Sequence, residues 1–192
     1  MKFLLLLEEL KNKYKPDCKE TENHVLLLGG VPTPPPLAKH YIHPPMEKGV
    51  MADLLASYTR NFPCELTEIY SVANGMDLFW KECKLSSGSV FPFCRLSIYG
   101  RPVGALRVQL QPYDIRLEDS SRVPGTPESY LKFGLYREIE DFTCKAEYEL
   151  FVDTDDNTVC SVDRSLKEFR AERHWDSIDD CLCSLFTQLD RT

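Results

Sequence analysis

Clustered carboxylates are the residues of this sequence with the clearest potential for chemistry. They fall in four groups: Glu118-Asp119, then Glu138, Glu140 and Asp141, then Asp153, Asp155 and Asp156, and last Asp179-Asp180. Several lie where turns or strand edges are predicted, so solubility explains most of them. The alternative is an acidic docking surface for a basic partner, because complementary charge speeds association and selects partners.

One acidic group imitates the start of a calcium-binding loop. Asp153, Asp155 and Asn157 have the spacing of its first three ligands. The sixth position is Thr158, where the loop needs glycine for its turn, and the twelfth is Arg164, where it needs a bidentate glutamate. The pattern therefore excludes a calcium loop.

The cysteines and histidines do not form a recognisable metal site. Cys181 and Cys183 are two positions apart on a predicted helix, so their side chains diverge by about 200°. We expect Cys181 in the core and Cys183 at the surface. His40 and His43 lie in a proline-rich segment without a nearby acidic cluster, and we predict that both are surface histidines. We predict no metal and no cofactor.

Local catalytic motifs are absent from the sequence. It contains no glycine-rich phosphate loop, no metalloprotease helix motif and no Gly-x-Ser-x-Gly elbow. A cysteine nucleophile needs a base that generates the thiolate. With eight cysteines and four histidines the sequence cannot rank the pairings. A thiol-dependent enzyme stays open as an alternative, but no catalytic residue can be named.

Composition and charge restrict the class of protein. The 192 residues are 43% hydrophobic and 28% charged, as in a soluble globular protein with one domain or one domain plus an extension. The net charge of −7 argues against a general binder of nucleic acid or of anionic membranes. The apolar run at residues 3–7 is too short for a membrane span or a secretory signal. We therefore expect reduced thiols and a cytoplasmic protein.

The periodicity of apolar residues predicts two parts of the chain. Residues 1–49 read as an amphipathic helix followed by a proline-rich arm, in which only 25–28 resembles a strand. Residues 50–192 begin with two helices, the second ending at Asn74-Gly75. A C-terminal helix covers 178–189, with Asp176 or Ser177 as its N-cap. Between these helices we predict strands at 90–98, 103–110, 132–136, 148–152 and 158–162.

This order of elements favours one fold class. Helices that precede and follow a run of strands, rather than alternating with them, indicate an α+β fold. We expect a mainly antiparallel sheet with the helices packed on one side.

Three segments resemble the SUKH superfamily, also called the Smi/Knr family. Residues 62–75 have its proline, short amphipathic helix and Asn-Gly; 148–159 resemble its paired strands; and 175–182 resemble its closing helix. Together they cover about residues 50–190. The chain departs from the family pattern in residues 1–49, in Ile178 where Phe is usual, and in an insertion at 111–129.

The resemblance implies a non-enzymatic α+β domain that binds protein. Bacterial members most often act as immunity proteins that cap a cognate toxin, frequently one that attacks nucleic acid. Eukaryotic and viral members act as interaction modules, so a regulatory scaffold that uses the proline-rich arm is the alternative. We expect a protein partner, with no direct contact to nucleic acid or membrane.

On this interpretation we assign two sets of residues. Contacts to the partner would come from the sheet face and its loops, with exposed aromatic residues as anchors. These candidates are Asp153, Asp155, Asp156, Glu138, Glu140, Asp141, Tyr113 and Trp80. The second set should hold the start of a helix, the end of a helix and helix-to-sheet packing, so that mutation costs stability first. These residues are Pro63, Asn74, Gly75 and Trp175.

Overall fold

A large antiparallel sheet with helices on one side organises the chain. The computed structural model describes residues 1–29, 38–58, 61–84, 87–101 and 124–191. Its helices are α1 (Lys2–Lys13), α2 (Lys48–Ser57), α3 (Cys64–Val72) and α4 (Ile178–Asp190), with a 3-10 turn at Lys15–Asp17. Its strands are β1 (Lys19–Glu20), β2 (Leu26–Leu28), β3 (His40–Ile42), β4 (Met76–Leu78), β5 (Lys81–Lys84), β6 (Val90–Phe93), β7 (Leu96–Ile98), β8 (Tyr130–Glu140), β9 (Thr143–Asp153), β10 (Val159–Asp163) and β11 (Ala171–Trp175). The predicted α+β class is confirmed.

Nine strands form the main sheet, in the order β1-β2-β3-β4-β7-β8-β9-β10-β11. All of its pairings are antiparallel. Strands β5 and β6 form a separate hairpin. The predicted strand at 90–98 is therefore two strands, β6 and β7, that belong to different sheets. The predicted strand at 103–110 lies outside the described residues.

The core lies between the helices and one face of the main sheet. Along β9, Leu150 and Val152 belong to this core, whereas Glu149 and Phe151 alternate with them and face away. Helix α4 buries six residues on one face, among them Cys181 and Leu185. Cys183 is only partly buried, in line with the prediction for the two cysteines.

Residues 1–29 and 38–49 contribute to the same sheet and core as the other described residues. Phe3, Leu7 and Leu10 of α1 are buried and belong to the main core cluster. Strands β1, β2 and β3 occupy one end of the nine-stranded sheet, where β3 pairs with β4. The predicted strand at 25–28 corresponds to β2, whereas β3 was not predicted. None of the described helices has the length and apolar character needed to cross a bilayer.

Two carboxylates connect three helices near their N-terminal ends. The Glu65 carboxylate on α3 accepts hydrogen bonds from the backbone N–H groups of Ile178 (3.0 Å) and Asp179 (3.2 Å) at the start of α4. The Asp179 carboxylate in turn accepts from Lys2 (2.9 Å) and Phe3 (2.8 Å) at the start of α1. First-turn N–H groups of a helix lack partners within the helix. This capping chain satisfies four of them.

The Asn74-Gly75 pair organises the loops beside α3. Helix α3 ends at Val72, and Gly75 has φ +87°, which glycine adopts without steric cost. The Asn74 side chain accepts from the Arg101 N–H at 2.7 Å and donates to the Arg101 carbonyl at 2.6 Å. A Cβ on Gly100 would lie 2.3 Å from the Asn74 carbonyl oxygen. Asn74 thus fixes two loops to each other, besides following the end of a helix.

Candidate functional site

The predicted acidic contacts do not form one surface. Glu138, Glu140 and Asp141 lie at the turn between β8 and β9, whereas Asp153, Asp155 and Asp156 lie at the turn between β9 and β10. These turns are at opposite ends of β9, a strand of 11 residues. At roughly 3.3 Å per residue the two turns are about 33 Å apart. Glu138 lies in β8 opposite Ala146, about 23 Å from the second turn. A partner would contact the two groups as two separate surfaces.

The carboxylates of the second group stabilise their own turn. Asp153 Oδ1 accepts from the Asp155 N–H at 3.0 Å. Asp156 Oδ1 accepts from both the N–H (2.8 Å) and the hydroxyl (2.7 Å) of Thr158. These hydrogen bonds lower the pKa of Asp156. Such side-chain caps are usual for Asp in turns, so this group has a structural explanation of its own.

The β8–β9 turn has no comparable explanation. Glu140 pairs with Thr143, so Asp141 and Phe142 form a two-residue hairpin loop, and their φ values are +46° and +59°. Turns of this shape favour Asn-Gly or Asp-Gly. Phe142 is a bulky residue in a left-handed conformation, which costs about 1–2 kcal/mol. Its side chain is 57% exposed, so little burial offsets that cost.

Phe142 is joined through the backbone to a second group of exposed apolar residues. Its carbonyl accepts from the Lys84 N–H at 2.6 Å, which joins the β8–β9 turn to the β5–β6 hairpin. Val90 is paired with Lys84, and Val90 and Phe91 are 54% and 50% exposed. Glu140 and Asp141 are exposed beside Phe142. We call the set Val90, Phe91, Glu140, Asp141 and Phe142 the hairpin-tip patch.

The edge of this patch carries both signs of charge. Lys84 and Lys145 are exposed at the same end of the sheet as Glu140 and Asp141. Glu138 is tied to Arg173, whose Nη2 lies 2.6 Å from its Oε1. An apolar centre with a polar, charged rim is the usual anatomy of a protein–protein interface. Val90, Phe91 and Phe142 were not predicted from the sequence. The sequence signal that could have located this turn is the pair Asp141-Phe142 between two strands.

The predicted aromatic anchors are placed differently. Trp80 is partly buried rather than exposed, and its ring packs edge-on against Tyr41 with the centroids 5.3 Å apart. Tyr113 lies outside the described residues. Among the predicted structural residues, Pro63 is buried immediately before α3, and Trp175 ends β11 packed against the main core.

Both histidines of the proline-rich segment are buried, so the prediction that they lie at the surface is wrong. His40 is 1% exposed in β3, and His43 is 4% exposed just after it. Burial lowers the pKa of each to about 4. The reason is that β3 has sheet neighbours on both sides, a placement that three residues between prolines do not reveal.

Six of the eight cysteines lack the lowered thiol pKa of an activated nucleophile. All eight are free thiols in the structure. Burial raises the pKa of six of them: Cys83, Cys94, Cys144, Cys160, Cys181 and Cys183. A catalytic thiolate requires a shift in the opposite direction. Among the described residues no group of three or more His, Cys, Asp or Glu side chains could hold a metal ion.

A buried polar cluster lies on the sheet face away from the helices. Ser97 Oγ donates to Asp77 Oδ1 at 2.6 Å, and the thiol of Cys94 lies 3.4 Å from the same hydroxyl. Desolvation raises the pKa of Asp77 to about 6, against the opposing influence of these partners and of Arg137. The cluster joins β4 to β7 and is accounted for as sheet packing.

Comparison of the chain with protein-family models, with curated protein sequences and with solved structures finds no match.

Proposed function

We propose that this chain is a non-enzymatic protein-binding domain of the SUKH type that acts in the cytoplasm as an immunity protein. It neutralises a cognate toxin by covering the toxin's functional surface. The observation that carries the proposal is Phe142, an exposed aromatic side chain in a left-handed backbone conformation that directly follows the exposed carboxylates of Glu140 and Asp141.

Strain of this kind favours a functional role for the hairpin-tip patch. Glycine or asparagine at position 142 would form the same turn at lower cost. In the isolated chain Phe142 costs free energy and buries little surface. Strained residues cluster at binding sites, where the contact they make in the complex offsets the cost. An aromatic residue at the centre of an interface also contributes more to affinity than most others.

The charge of the chain supports a basic partner. With 30 acidic and 23 basic residues, the domain attracts cationic proteins at long range. A toxin that acts on nucleic acid carries positive charge for its own substrate. Glu140 and Asp141 would pair with part of that charge while Phe142 and its apolar neighbours exclude water. Inhibition is then steric and electrostatic, without a chemical step.

The test uses Phe142→Gly, because relief of backbone strain should raise the stability of the free protein, whereas loss of the aromatic contact should lower its affinity for the toxin. We expect its stability to equal that of the wild type or exceed it by up to about 1 kcal/mol. We expect its affinity for the purified toxin to fall at least tenfold. Leu5→Ala is the matched control, since Leu5 is 66% exposed on α1, away from the patch. A Phe142→Gly variant that binds as tightly as the wild type would overturn the proposed surface.

The toxin is first identified by affinity capture at low and moderate salt. A single basic partner with a toxin domain, released as salt rises, supports immunity, and protection of cells that express the toxin confirms it. Several unrelated partners would favour the regulatory scaffold.

A further inference from the structure

A cavity of about 430 Å³ lies where α1 and α4 end beside β3 and the start of β5. Four cationic side chains line it: Lys13, Lys39, Lys81 and Arg95. Asp190 is the one carboxylate among its described lining residues. A local excess of positive charge is unexpected in a chain with a net charge of −7.

The single carboxylate is already in use. Lys13 Nζ lies 2.8 Å from Asp190 Oδ1. The ammonium groups of Lys13 and Lys39 lie 5.7 and 5.8 Å from the centroid of the Tyr14 ring, so both stand beside one aromatic wall. After desolvation, the charges of Lys39 and Lys13 further lower the pKa of His40, and the charge of Asp190 opposes them.

Two neutral donors accompany these cations. Trp80 lines the cavity, and its Nε1 is buried with no hydrogen-bond partner in the described structure. An indole N–H can only donate a hydrogen bond. His40 Nδ1 accepts from the Phe79 N–H at 3.2 Å, so the neutral ring carries its proton on Nε2.

We propose that this cavity binds the phosphoryl group of a small phosphorylated molecule. Its lining offers four cationic side chains but one carboxylate, a set that favours an oxyanion over a cation. Lysine binds phosphate as a point charge and arginine as a planar fork. Aromatic walls lower the local dielectric and so strengthen these contacts. The volume is within the range of small-molecule sites and exceeds what a bare phosphate fills.

This inference is independent of the proposed function. Lys81, at one end of β5, lines the cavity, whereas Lys84, at the other end, adjoins the hairpin-tip patch. The two surfaces can therefore be mutated separately.

The test is a calorimetric titration with inorganic phosphate, pyrophosphate, AMP and ADP, with adenosine as the uncharged control. We expect saturable binding of at least one phosphorylated probe and none of adenosine. Tighter binding of AMP and ADP than of pyrophosphate would identify a nucleotide as the source of the phosphoryl group, and the reverse order a simple phosphate. Because Trp80 is one of two tryptophans, binding should also change the fluorescence, and Trp80→Phe should abolish most of that change.

Paired variants test the site itself. The double variant Lys39→Gln, Lys81→Gln should weaken binding of the phosphorylated probe at least tenfold, because each substitution removes one charge-assisted contact. Lys167→Gln, an exposed lysine that does not line the cavity, should leave binding unchanged. Melting curves without ligand verify that all variants are folded. Absence of saturable binding by every probe, or equal weakening by the Lys167 control, would overturn the proposal.

Discussion

Removal of the Glu65 carboxylate should destabilise the whole fold, although Glu65 is only partly buried. Its two oxygens accept from the N–H groups of Ile178 and Asp179, 113 and 114 positions away in the sequence. A side-chain cap is worth about 0.5–2 kcal/mol, and negative charge at a helix N-terminus adds about 0.3–1 kcal/mol. For Glu65→Ala we therefore expect a loss of about 2 kcal/mol in the free energy of unfolding. In a chain of 192 residues this lowers Tm by about 4–8 °C.

Urea denaturation followed by circular dichroism measures this loss. Glu68→Ala is the matched control, since Glu68 is one turn along the same helix, 54% exposed, and 3.7 Å from the terminal ammonium of Met1. An exposed ion pair of this kind is worth less than about 1 kcal/mol. Asp179→Ala, which removes the next cap, should resemble Glu65→Ala. If Glu65→Ala unfolds within about 0.5 kcal/mol of the wild type while Glu68→Ala costs more, the capping chain does not stabilise the fold as argued.

Further predictions concern packing and pH. Gly100→Ala should lower Tm severely or prevent folding, because its Cβ would meet the Asn74 carbonyl at 2.3 Å; Gly49→Ala, with nothing within 4 Å, should be neutral or slightly stabilising in the same melt. Since desolvation raises the pKa of Asp77 to about 6, its ionisation lowers the stability of the fold as pH rises from about 4 to 6. In urea denaturation, Asp77→Asn should be about 1–2 kcal/mol more stable than the wild type at pH 7 and no more stable at pH 3. Burial lowers the pKa of His43 to about 4. Its contribution to the free energy of unfolding is therefore fully present above pH 6.5 and is lost as pH falls to about 4. His43→Gln should therefore lose less stability than wild type between pH 7 and pH 4.5, and an equal loss would contradict the burial argument.

The presence of long elements could be predicted from the sequence, but the full length of the long strands could not, and several short strands were not predicted. Helix α4 buries six residues at helical spacing and was predicted nearly to its ends. Strands β8 and β9 extend for 11 residues each, of which only 132–136 and 148–152 were predicted. Strand β3 has three residues and β4 also three, too few for any periodicity. Their positions depend on sheet neighbours elsewhere in the chain. The burial of His40 and His43 follows from those neighbours.

The candidate site was predicted less well, for a related reason. The sequence located the turn that carries Asp155, but it left 137–147 between two predicted strands. It therefore showed neither the turn at Asp141 and Phe142 nor the full length of β9 that separates the two turns. Only the positive φ of Phe142 and the exposure of its side chain distinguish it from other aromatic residues, and neither property can be read from the sequence. The residues around Glu65 in the sequence do not indicate that it caps a helix more than 100 positions away.

The capping chain also determines the order in which the molecule can be completed during synthesis. Helix α1 is made before α4, and Asp179, which caps α1, follows Phe3 by 176 positions. At roughly 5–20 residues per second the ribosome needs roughly 10–35 s to cover that distance. For this time Phe3, Leu7 and Leu10 have no α4 to pack against. The growing chain therefore exposes an apolar helix face until α4 has been made, and a chaperone that recognises such faces would find a binding site there.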